Sequence, residues 1–165
     1  MTYSMHMVQQ VILAQLVPLP LVVTLGYRLR RLRAPLAWAI GVGTMIATSL
    51  PPAYLLVQRS AVSDWTMRAV LIVAGVVFWM PLFGGVARRR VAPGAALLYV
   101  ITACFATTLA GIYIAFSAVS SDQQVAGLIM WVPCCLIYLS AALAIVVRTM
   151  SGAATTQADP SLRSG

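Results

Sequence analysis

Hydrophobic residues follow one another along this chain in long runs, broken by short polar or arginine-bearing intervals. The runs extend from His6 to Gly26, Pro35 to Val57, Trp65 to Val86, Ala95 to Phe116 and Gln124 to Val147. A helix rises about 1.5 Å per residue, so about 20 apolar residues cross the hydrocarbon core of a bilayer, and each run is long enough. Each is also apolar on all sides, unlike a helix that turns one stripe to a soluble core. Helices satisfy their own backbone polar groups in lipid. The pattern predicts an all-α fold: a polytopic membrane helix bundle of about five transmembrane helices, occupying residues 1–149.

Composition strengthens this reading. The chain is 61% hydrophobic and 8% charged, with mean hydropathy +0.93, whereas soluble domains carry about 25% charged residues. The net charge of +8 comes from eleven arginines against three acids. Such an excess raises the question of nucleic acid, but the arginines sit in the breaks, where a topology signal belongs, so no nucleic-acid partner is expected. Arg28, Arg30, Arg31, Arg33, Arg88, Arg89, Arg90, Arg148 and Arg163 fall on one side of the alternating spans, and only Arg59 and Arg68 on the other. By the positive-inside rule the N-terminus is extracytoplasmic and the C-terminus cytoplasmic. The expected location is the plasma membrane of a bacterial cell, with the lipid bilayer as constant partner. No signal peptide is readable, so the first run is expected to remain in the mature protein.

Pro18, Pro20, Pro51, Pro52, Pro81 and Pro133 fall inside the runs, and each frees a carbonyl and bends or ends a helix locally. Small residues four apart, Ala39, Gly43 and Ala47 in the second run and Ala103, Thr107, Gly111 and Ala115 in the fourth, suggest close helix contacts. Cys104, Cys134 and Cys135 show no metal-type spacing and read as small packing residues. Trp65 and Trp131 suit an aromatic belt. Residues 150–165 are polar and rich in Gly, Ser and Ala, predicting a disordered cytoplasmic tail.

Catalytic chemistry is sparse. The chain has one His and no Glu, and no Asp lies inside a run. Hydrolytic and proton-relay mechanisms lack their parts, no phosphate-binding Gly-rich loop is present, and no enzyme activity is expected. What remains is a polar cluster at the outer face. His6 shares a helix face with Gln9 and Gln10, and Asp122, Gln123 and Gln124 open the fifth run. His6 and Asp122 are the candidate metal ligands. Met5 or Met7 beside the imidazole suggests copper, because thioether sulfur favours the cuprous ion. Asp122 also suits an N-cap of its own helix.

The order of SMHMVQQ on the first helix, SLPPAY at Ser49 to Tyr54, FWMP at Phe78 to Pro81, and DQQVAGLIMWVP at Asp122 to Pro133 resembles the CtaG family of cytochrome c oxidase assembly factors. The resemblance runs from about Ser4 to Ala142, and DQQVAGLIMW is its most specific part. It implies a polytopic membrane protein that acts on the catalytic subunit of cytochrome c oxidase and helps supply copper to it at the outer face. The chain departs from the family pattern, which places histidines at three positions occupied here by Gln10, Ser49 and Arg68, and further helices ahead of the first motif. The resemblance therefore implies either copper delivery completed by a partner's ligands, or a metal-free scaffolding protein that has lost the family's ligands.

Overall fold

The computed structural model describes residues 2–25, 32–84 and 91–158. Among these every regular element is a helix: α1 Tyr3–Val11, a π-turn Ile12–Leu16, α2 Pro18–Leu25, α3 Ala34–Ser49, α4 Pro51–Arg59, α5 Ala61–Phe83, α6 Pro93–Phe116 and α7 Ser121–Ala158. Four segments are long and apolar enough to cross a membrane: Tyr3–Thr24, Ala61–Phe83, Pro93–Phe116 and Ser121–Ser151. α3 and α4 together make a fifth, broken span bent by 74°. The protein is a multi-pass membrane protein of the all-α class. The arginines of residues 28–31, 88–90 and 163, on which most of the charge asymmetry rests, lie outside the described residues.

The expected runs recur with shifted edges, and the prolines account for the departures. In the first span Val17 N–H donates to Ile12 O at 2.9 Å, five residues back, which opens one turn just ahead of Pro18. A proline ring collides with the carbonyl four residues before it, here that of Ala14, and the wider turn relieves the collision. α5 crosses at this point, where a β-carbon on Gly75 would run into Ala14 O and the Pro18 ring. In the second span Pro51 and Pro52 stop α3. The residue before a proline is driven out of the helical region, and Leu50 takes φ −72° and ψ 148°.

α6 and α7 pack as an antiparallel pair whose backbones touch. A β-carbon on Gly127 would meet Ala115 N and Gly111 O at 2.7 Å each. Ala103 and Thr107 are fully buried, so the small residues of the fourth run do mark a helix contact. Those of the second run do not: Ala39, Gly43 and Ala47 are exposed, nothing lies within 4 Å of a β-carbon on Gly43, and the packed small residues of α3 include Ala37 and Gly41, the latter seated on Phe78. The covered stripe is offset by two residues, which turns it by about 200° to the opposite face of the helix.

The core joins Val22, Met45, Leu71, Phe78, Trp79, Val100, Cys134 and Tyr138. The opposite faces are equally apolar: Phe105, Leu109, Tyr113 and Phe116 on α6 are each more than 60% exposed. An outer face of this composition suits hydrocarbon, not water. α7 continues to Ala158, so residues 150–158 are helical where disorder was expected.

Candidate functional site

The first helix closes the gap that the second span's prolines create. In a continuous helix the carbonyl of Thr48 would accept from the N–H of residue 52, but Pro52 has none. Gln10 Nε2 donates to Thr48 O instead, at 2.7 Å. The next carbonyl, Ser49 O, accepts from the Tyr3 hydroxyl. Two side chains of α1, two turns apart, thus supply the donors that the break removes.

His6 lies between them and is 3% exposed. Gln10 Nε2 stands 3.1 Å from His6 Nε2. Because Thr48 O requires a donor, the nitrogen end of the amide is fixed there, and its second proton points at the imidazole. The imidazole also hydrogen-bonds the Thr48 backbone, so His6, Gln10 and Thr48 form one closed polar group. Ser49 Oγ reaches Gln10 Oε1 at 2.8 Å and Met45 O at 2.7 Å. The Tyr54 ring covers His6 at 5.4 Å between centroids and meets Tyr3 edge-on at 4.8 Å. Beside Tyr54 a cavity of about 340 Å³ is lined by Val57, Gln58, Ser60, Ala61 and Asp64. Arg68 is bonded to Asp64 at 2.7 Å and stacks over Trp65, and both charges act on His6. Of the positions at which the resemblance expects histidines, Gln10 touches His6 directly and Ser49 bonds Gln10, while Arg68 is held by Asp64 and Trp65.

Asp122 is at the same end of the bundle but in a different arrangement. Its carboxylate accepts from Tyr3 N at 2.7 Å, Ser4 N at 3.4 Å and Ser4 Oγ at 2.6 Å. The first N–H groups of a helix have no partners within it, and an anion there also suits the helix dipole. Asp122 thus caps α1 rather than its own helix. The start of α7 is capped by Ser120, whose Oγ accepts from Gln123 N at 3.3 Å.

The donor set does not fit a copper ion. The sole imidazole is held by Gln10 and the Thr48 backbone, and both Asp122 oxygens are engaged on α1. Met5 is 60% exposed, and Met7 packs with Tyr3, Ile114, Ala126 and Met130 against α6 and α7. Adjacent helix residues point about 100° apart, so neither thioether stands beside the imidazole as the sequence suggested. Among the described residues no group of three or more His, Cys, Asp or Glu is placed to hold a metal.

Sequence reasoning missed Tyr3, Thr48 and Tyr54, although a signal was present: Pro52 has no N–H for the carbonyl of Thr48, and a helix broken by tandem prolines needs donors from outside. It also missed Gln15 in the π-turn. Gln15 is 3% exposed and its Nε2 donates to Tyr138 Oη at 2.8 Å and Met45 Sδ at 3.1 Å.

A family model described as cytochrome c oxidase caa3 assembly factor matches residues 26–151. The match takes in Ser49, Tyr54, Arg68 and Asp122 and begins after the first span, so the helix carrying His6 and Gln10 lies outside it. No curated protein and no solved structure matches the chain.

Proposed function

Since the chain belongs to the family of cytochrome c oxidase caa3 assembly factors, we propose that it is a non-enzymatic accessory of the bacterial plasma membrane that binds the oxidase's catalytic subunit during assembly. The binding end is the one built from α1, the α3–α4 break and the start of α7, and it faces the extracytoplasmic side. One observation carries this: Tyr3, Gln10, Ser49 and Asp122 spend their hydrogen bonds in joining the parts of that end to one another. A pre-formed surface of this kind suits docking of a client better than exchange of an ion.

A second reading has its own support, because His6, Gln10 and Ser49 converge where the resemblance expects imidazoles. In it copper is cargo, and the client's side chains supply the ligands this chain lacks. A deletion strain distinguishes the two. Loss of oxidase activity with haem synthesis intact is expected, and added copper should not restore it. Rescue by copper would favour the cargo reading. Normal oxidase activity in the deletion strain would overturn both.

The purified protein should retain copper well below one equivalent after dialysis against a chelator. A full equivalent would contradict the account of His6 given above.

A further inference from the structure

We propose that Cys104 and Cys135 form an oxidisable dithiol whose disulfide ties α6 to α7 in the middle of the membrane. Their sulfurs are 3.4 Å apart, and Thr108 Oγ1, one turn from Cys104, lies 3.2 Å from Cys135 Sγ. Both residues are half-buried, at the edge where the helix pair meets lipid. Cys134 is different: it is fully buried, in the core with Tyr138. Adjacent residues on a helix diverge by about 100°, which gives the neighbouring cysteines separate surroundings.

The pairing is anchored. Gly111 meets Trp131 and Gly127, and Gly127 meets Ala115, so the two backbones are in contact about two turns from Cys104. A disulfide needs its sulfurs about 2.05 Å apart. Closing the remaining distance of about 1.4 Å takes side-chain rotation with a small adjustment of helices already pressed together.

The surroundings select the chemistry. Cys104 stands midway along α6, at the depth of the hydrocarbon. Holding a metal there would require both thiols to ionise and the ion to shed its water at the depth of the hydrocarbon, where charge is expensive. A disulfide is uncharged and needs no ionisation at rest. The oxidant must therefore be soluble in lipid, and a fully substituted quinone meets the requirement because its ring has no open carbon for a thiol to add to. The two thiols give up two electrons and two protons, one S–S bond forms, and the quinone leaves as the hydroquinone.

The test uses the full chain in lipid nanodiscs, treated with a ubiquinone-type quinone and mapped without reduction. The expected product has lost two hydrogens, links the Cys104 and Cys135 peptides, and reverts with a phosphine reductant. C134A should retain the link and C135A should abolish it. Iodine, a small lipid-soluble oxidant, serves as a second probe. The proposal is overturned if neither oxidant produces the link in the wild-type protein and C134A, or if Cys104 joins Cys134 as readily as Cys135.

Discussion

Replacing Gln10 by leucine tests whether the first helix seals the break in the second span. Leucine is close to glutamine in volume, so the packing term is small, and what changes is the hydrogen bonding. Thr48 O loses the donor at 2.7 Å and keeps only the His6 imidazole beside it, and the proton on residue 52 that a helix would offer is missing because residue 52 is proline. A buried polar group left unpaired costs about 1–3 kcal/mol in proteins generally. Hydrogen bonds between membrane helices average only about 0.6 kcal/mol and reach about 1.7 kcal/mol, because the dispersed helices find other partners. Here the local alternative is blocked by covalent structure, which places Q10L near the top of that range, at about 1.5 kcal/mol. The same reasoning fixes a double-mutant cycle. Replacing Pro51 and Pro52 together with alanine lets α3 run on and returns an N–H to Thr48 O, so Q10L in that background should cost less by about 1 kcal/mol. Reversible unfolding in mixed micelles, followed by tryptophan fluorescence, measures both. A Q10L cost below about 0.5 kcal/mol, or equal costs in the two backgrounds, would refute the reasoning.

Three further outcomes are expected. G127V drives a branched side chain into the backbone of α6 and should destabilise by about 1–3 kcal/mol, whereas G43V meets open space and should stay within about 0.5 kcal/mol; similar melting shifts for the two would contradict the packing described. D122N weakens the cap on α1, so hydrogen exchange should quicken at the start of that helix and stay unchanged in α5, and exchange unaltered in both would remove the capping role. A reporter active only in the cytoplasm, fused after Ala158, should be active; silence there would reverse the orientation and put His6 on the cytoplasmic side.

The helix bundle was legible in the sequence because lipid leaves few alternatives: a run of about 20 apolar residues has one stable state there. Individual contacts were less legible. The stripe on α6 was read correctly and the stripe on α3 was not, since a list of small residues does not say which face a neighbour will cover. At the site, His6 and Asp122 were rightly placed at one end of the bundle. Their partners follow from tertiary facts: Gln10 bonds a carbonyl 38 residues away, and Asp122 caps a helix 118 residues before it. The first could have been foreseen from Pro51 and Pro52. The second could not, because nothing in Asp122's neighbours distinguishes a cap for its own helix from a cap for another.

The bend between α3 and α4 also bears on the surrounding lipid. The 16 residues of α3 extend about 24 Å, about 6 Å short of a typical hydrocarbon core. α4 turns away at 74° with Leu55 and Leu56 outward, so it adds little depth. The leaflet on the His6 side must therefore be shallower beside α3, at a fraction of a kcal/mol for each ångström of mismatch. Two proteins with the same deficit share one dimple instead of making two. Bilayer thickness would then gather this protein with any client whose helices are equally short, and do so before a single side chain is recognised.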